Sequence, residues 1–153
     1  MKHFDVKPIL GMLAALVLGS GSAQAESVSA SKKVIFSEAI DDITQAALNL
    51  DYRIVKVQEV DRALVKRGFA DPGVRILFIG NPEQMRRALE LDVQLLALLP
   101  LRLTLKREGD VVEISSDDLA PWAEQAANPE SRKLVESWQA DLRLILDDYK
   151  RAR

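Results

Sequence analysis

The chain has no cysteine, and its single histidine is His3. Without a thiol there is no disulfide, no thiol redox couple and no thiolate ligand. His3 falls in a segment read below as a cleaved leader, so the remainder has no imidazole either. Ser-His-Asp and Cys-His nucleophilic catalysis are thereby excluded. So are the usual structural zinc sites, His- or Cys-ligated haem and protein-ligated iron–sulfur clusters. The chemistry left is that of carboxylates, Lys, Arg, hydroxyls and two tyrosines, Tyr52 and Tyr149. No cofactor or metal is expected, and a non-enzymatic role is favoured.

Charge of one sign is also lacking. The chain has 21 basic and 23 acidic residues, a formal net charge of −2, and no basic block. Nucleic-acid affinity rests on neutralising phosphates, so no nucleic-acid partner is expected.

A membrane span needs about 20 apolar residues. The apolar run Ile9–Leu18, interrupted by Gly11, is about ten residues long by the same measure. Lys2 and Lys7 precede it, with Asp5 against the trend, and Ala23-Gln24-Ala25 follows with small residues at the positions a signal peptidase reads. There is no cysteine to lipidate and no twin-Arg pair. Residues 1–25 are therefore expected to be a signal peptide cleaved near Ala25. The product would be periplasmic or secreted, with no stable membrane span after cleavage. Retention of this segment would instead make a membrane-anchored accessory protein.

The remainder is expected to hold a short flexible lead-in, 26–31, and a single domain, 32–153. Lys33–Phe36 reads as a first strand. Ser37 is placed to cap a helix with Ile40, Ile43, Ala47 and Leu50 at helical spacing. Val55 and Val57 alternate with Lys56 and Gln58 as in a strand. Asp61 is placed to cap a short helix ended by Gly68. Val74–Ile79 is apolar except for Arg75, the pattern of a central strand buried on both faces. A helix from Pro82 should turn Met85, Ala88 and Leu89 inward. Leu91–Leu99 reads as a helical turn leading into a loop. Leu101, Leu103 and Leu105 alternate with Arg102, Thr104 and Lys106, and Val112 and Ile114 resume the pattern after Glu108-Gly109-Asp110, which predicts a hairpin. Asn128 and Pro129 open a last helix with one apolar stripe from Leu134 through Trp138 to Tyr149. The order β-α-β-α-β-α-β-β-α predicts an α+β fold, with helices packed on one face of a mostly antiparallel sheet.

The most motif-like stretch is Phe78–Asp92, where a strand meets Gly80-Asn81-Pro82 and a helix. A phosphate cradle needs free backbone N–H groups at a helix N-terminus. Here Pro82 removes one donor, Glu83 brings a like charge, and Asn81 with Gln84 has the spacing of a capping pair. The junction thus reads as a helix start, with an anion site as the alternative, supported by Arg86 and Arg87.

"ILFIGNPEQMRRALELDVQLLALLPLRLTLKREGDVVEI", residues 76–114, resembles the bacterial and archaeal family named Domain of Unknown Function 302. The resemblance rests on an ordered set: a strand ending in Asn81-Pro82, an Ala88-Leu89 helix, a Leu-rich stretch reaching Leu98-Leu99-Pro100, and a hairpin. It spans roughly Val57–Asp118. Many similar sequences carry a cysteine just before the Asn-Pro; Gly80 stands there in this chain, so no thiol or metal role carries over. The resemblance implies a compact α+β fold, a homodimer as the assembly to test, and no assigned activity.

Arg75 interrupts the most apolar strand, where a charge is costly unless paired. Arg102 lies on a hairpin strand, and the two converge if those strands pair suitably. They read either as structural salt bridges or, with Asn81, as residues binding a small anionic ligand. The acidic pairs Asp41-Asp42, Asp117-Asp118 and Asp147-Asp148 read as caps and solvated faces, because adjacent helical residues point apart and no calcium-loop spacing is present. Trp138 belongs to the apolar stripe, whereas Trp122, beside Pro121 in a connector, is the expected exposed aromatic and a marker for a protein partner. The functional expectation is an exported, non-enzymatic binding or interaction module. The alternative is a hydrolase or lyase built from carboxylates and Arg, acting on a small anionic substrate.

Overall fold

A computed structural model describes residues 28–152. The expected signal peptide, 1–25, lies outside the described residues. Five strands, β1 (Ser29–Lys33), β2 (Arg53–Gln58), β3 (Val74–Gly80), β4 (Leu101–Glu108) and β5 (Val111–Ser116), form one sheet in the order β1-β5-β4-β3-β2. Every strand pair in it is antiparallel. Among the described residues five helices punctuate the strands: α1 (Phe36–Leu48), α2 (Val60–Val65), α3 (Pro82–Leu91), α4 (Ala120–Glu124) and α5 (Pro129–Arg151). A 3-10 segment, Val93–Leu98, joins α3 to β4. This is the α+β architecture the element order predicts.

The alternation of side chains along each strand decides which face is covered. Leu77 and Ile79 of β3, Leu101, Leu103 and Leu105 of β4, and Val112 and Ile114 of β5 are all buried, and all project to one side. The 23-residue α5 lies over them and presents Leu134, Val135, Trp138, Leu142, Ile145, Leu146 and Tyr149. Helix α1 packs beside α5 and buries Ile43 with Ala39, Ala46 and Ala47, three small residues that let the two backbones approach closely. Both buried tyrosine hydroxyls find partners: Tyr149 Oη donates to the Val112 carbonyl at 3.1 Å, and Tyr52 Oη donates to Asp141 Oδ2 at 2.8 Å. Burial, with Asp42 nearby, pushes the Tyr149 phenol up to about 12. Burial and the bond to Asp141 also raise Tyr52. Neither ionises under physiological conditions.

Several elements depart from the sequence reading. The first strand is Ser29–Lys33, not Lys33–Phe36, and it begins within the 26–31 stretch read as a flexible lead-in, because it completes the sheet edge against β5. Helix α1 accordingly starts at Phe36, and Ser37 is not its cap. Strand β3 is interior, but only one of its faces is fully buried; Val74, Ile76 and Phe78 on the other are half-covered. Helix α3 turns Gln84, Ala88 and Leu91 toward the core and leaves Met85 and Leu89 exposed. Gln84 wins the inward position because its Oε1 accepts the Nε1–H of buried Trp138 at 3.3 Å. An apolar count along α3 cannot see that bond.

Candidate functional site

The register separates the two arginines of interest. In the β3–β4 pair Arg75 lies opposite Leu105 and Phe78 opposite Arg102. Positions 75 and 78 have opposite parity, so Arg75 projects to the helix-covered side and Arg102 to the bare side. The strands pair, yet the guanidiniums do not converge.

Each arginine has its own carboxylate. Arg75 forks onto Asp61 of α2, with Nε–Oδ1 at 3.2 Å, Nε–Oδ2 at 3.1 Å and Nη2–Oδ2 at 2.9 Å. The two side chains are 19% and 9% exposed. Burial pushes the Asp61 carboxyl up, but the Arg75 guanidinium and a bond from the Arg62 backbone outweigh it and hold the group below its ordinary 3.8. Asp61 therefore does not cap α2; Glu59 stands at the N-cap, and Asp61 neutralises the charge that interrupts β3. Phe36 lies between Arg75 and Arg107, whose guanidinium carbons are 5.2 and 5.6 Å from the ring centre. Arg102 pairs with Asp117 at 2.5 Å on the surface, and that bond raises the guanidinium further.

Asn81 is committed as well. Its Oδ1 accepts the N–H groups of Glu83 and Gln84 at 3.0 and 3.2 Å, capping α3. With Pro82 at the first turn and Glu83 ion-paired to Arg86, the helix start has no donors left over for an anion. An open groove of about 620 Å³ borders Asn81, Gln84, Tyr52 and Arg53. In each acidic pair at least one member is occupied: Asp42 binds Lys32, Asp118 caps Ala120, and Asp148 accepts from Asn49. Among the described residues no three His, Asp or Glu side chains gather where they could hold a metal ion.

The arrangement that is not used up lies between α4 and α5. A cavity of about 250 Å³ opens there over a buried apolar floor of Leu119, Ala123 and Val135. Gln139 forms part of its wall and is 6% exposed. Its Oε1 accepts the Leu119 N–H at 2.6 Å, which fixes the amide orientation and the line of α4 against α5. Its Nε2 has no partner. The other unpartnered buried side-chain atoms among the described residues, Ser116 Oγ and Ser131 Oγ, do not border this cavity. A buried donor without a partner costs about 1–3 kcal/mol; this atom has no exposed surface and does not open onto the cavity. Arg132 and Arg143 stand at the rim with Glu124 and Glu136. Among the described residues none of these four side chains is in an ion pair, although Arg132 and Glu136 have the i,i+4 spacing that ordinarily pairs. Arg132 reaches only the Glu124 carbonyl, at 3.4 Å.

Sequence reasoning passed over this group. Its signal was Gln139 itself, four residues after Val135 and three before Leu142, a polar side chain in a position the apolar stripe would fill. Trp122, on α4, is half-exposed, as the connector reading expects.

Comparison with known proteins places these features in a family context. No curated protein matches the chain. Among solved structures, it is similar to an uncharacterized conserved protein, DUF302, from Bacillus stearothermophilus. The two share 16% sequence identity with a TM-score of 0.72, over 80% of this chain and 96% of that one, a likeness of fold. The family model described as Domain of unknown function DUF302 matches residues 27–149, which takes in all five strands and all of α5 but Lys150 and Arg151. The chain belongs to the DUF302 family.

Proposed function

We propose that the protein is an exported, non-enzymatic binding module that holds a small ligand carrying an anionic group in the cavity between α4 and α5. The observation that carries this reading is a cavity bordered by two arginines, Arg132 and Arg143, that have no ion-pair partner among the described residues. Small-ligand sites have this composition, an apolar lining with a few polar groups that set orientation. Elsewhere, Arg75, Arg102 and Asn81, and at least one acid of each acidic pair, have a partner within the fold, which disfavours a site built on them. Export is supported by the leader-like residues 1–25 and is tested by N-terminal sequencing of the protein recovered outside the cytoplasm. Among the described residues no helix is long and apolar enough to cross a membrane.

The binding reading is tested by a thermal-shift screen of anionic metabolites on the purified protein. Stabilisation that saturates, and that Arg143→Gln abolishes, is the expected result. A screen in which no anion stabilises the protein refutes it. Light scattering on the same sample tests the homodimer that the family resemblance implies.

A further inference from the structure

The segment between β2 and β3, residues 59–71, is fastened to the domain by charge and not by apolar burial. We infer that it is a flap that opens as a unit while the sheet stays folded, uncovering Arg75 and Arg107. Of the six residues of α2, Asp61 alone is buried. Val60 and Leu64 are half-covered, and neither belongs to the side chains that pack on the hydrophobic core. From Arg62 to Pro72 every residue other than Leu64 is exposed, Phe69 to 63%. The backbone bonds of the turn, from Ala63 N–H to the Glu59 carbonyl through Phe69 N–H to that of Leu64, close within the segment.

Two ion pairs reach across to the sheet. Asp61 holds the Arg75 fork described above, and Asp71 Oδ2 accepts from Arg107 Nη2 at 2.6 Å. The second pair is the more exposed, at 39% and 43% for the two side chains. Where the segment rejoins the sheet, Asp71 Oδ1 accepts the Gly73 N–H at 2.7 Å. The arginines remain behind when the flap leaves, because they belong to β3 and β4 and lie against Phe36 of α1. Closed, the flap cancels both charges; open, it leaves two cations beside an aromatic ring. An element that buries so little apolar surface draws little from the term that holds the rest of the fold together. Opening breaks the Asp61 pair, the weaker Asp71 pair and a helix too short to persist by itself. The core and the strand pairings are left in place.

The flap carries its own reporter, since Arg62, Lys66 and Arg67 are sites for trypsin. The protease needs several extended residues in its cleft, so its rate at these bonds follows the population of the open form. In native buffer, trypsin is expected to make its first cut within Ser29–Tyr149 of the purified full-length protein at one of the three, located by mass spectrometry. Asp61→Asn should accelerate that cut about tenfold or more. Asp71→Asn, which removes the exposed pair, should accelerate it about twofold. Ile145→Val trims the core under α5 and lowers global stability, yet should leave the rate unchanged, because local opening bypasses the core. A first cut in another element, or acceleration by Ile145→Val, ties cleavage to global unfolding and overturns the inference. A cut in the segment that Asp61→Asn does not accelerate makes it a fixed surface loop and overturns the inference equally.

Discussion

Removing the carboxylate that faces Arg75 is the sharpest test of how this fold tolerates a charge in its sheet. Asp61→Ala leaves a guanidinium projecting to the covered side of β3, 19% exposed and with no other carboxylate within bonding distance. Exposed ion pairs contribute about 0–1 kcal/mol. Breaking a fully buried pair costs about 3–5 kcal/mol, because the surviving charge is uncompensated. This pair lies near the buried limit, so a loss of about 3 kcal/mol is expected. With a urea slope of about 1.5 kcal/mol/M, the unfolding midpoint should fall by about 2 M. Arg75→Met should cost less than Asp61→Ala, since the short Asp61 carboxylate at the start of α2 keeps backbone donors. The double variant Asp61→Leu with Arg75→Met should return to within about 1 kcal/mol of the parent, as apolar replacements of buried pairs do. The sign of the pH effect follows from the lowered Asp61 carboxyl. The contribution is complete above the ordinary 3.8 and is lost as pH falls through the lower folded value, so Asp61→Ala should flatten that part of the acid limb. Two single variants each costing under about 1 kcal/mol would show that the pair is effectively solvated and would refute the reasoning.

Asn81→Ala and Asn128→Ala each remove a side chain that accepts backbone N–H groups at a helix start, and each should lower stability by about 1 kcal/mol, read from urea denaturation. Gly73→Ala should cost about 1–2 kcal/mol, because Gly73 has φ +59° and a Cβ there would lie 2.9 Å from Arg107 Cβ. Trp138→Ala should remove about 3–5 kcal/mol by emptying the centre of the core and releasing Gln84, seen as a large fall in Tm. Gln139→Leu leaves the buried Leu119 N–H without its acceptor and should lower stability by about 1–3 kcal/mol, read from urea denaturation; an unchanged midpoint would contradict the role given to the amide.

Periodicity showed most of the architecture. The β4–β5 hairpin and the α5 stripe follow from alternation and helical spacing alone, because both elements bury one continuous apolar face. What stayed hidden depends on partners distant in sequence. Arg75 announced that it needed a carboxylate, but Asp61 is 14 residues away and looked like a cap. The Met85–Leu89 face looked inward until Gln84 was seen on Trp138, 54 residues on. Parity could have kept Arg75 and Arg102 apart, had the β3–β4 register been legible; register is set by turns and packing that a single strand does not encode. The α4–α5 cavity was invisible for a simpler reason. Neither helix shows it by itself, and its one sequence mark is a glutamine interrupting a hydrophobic stripe.

The position of α5 has a consequence for biosynthesis. The helix that roofs the sheet follows all five strands in the chain, so a nascent chain that has not reached Pro129 carries strands whose Leu103, Leu105 and Ile114 have no cover from it. The covered face is complete only once α5 has been made, and until then the polypeptide stays pliable. A pliable chain can be threaded through a narrow conduit, but until α5 arrives it also needs chaperoning against self-association.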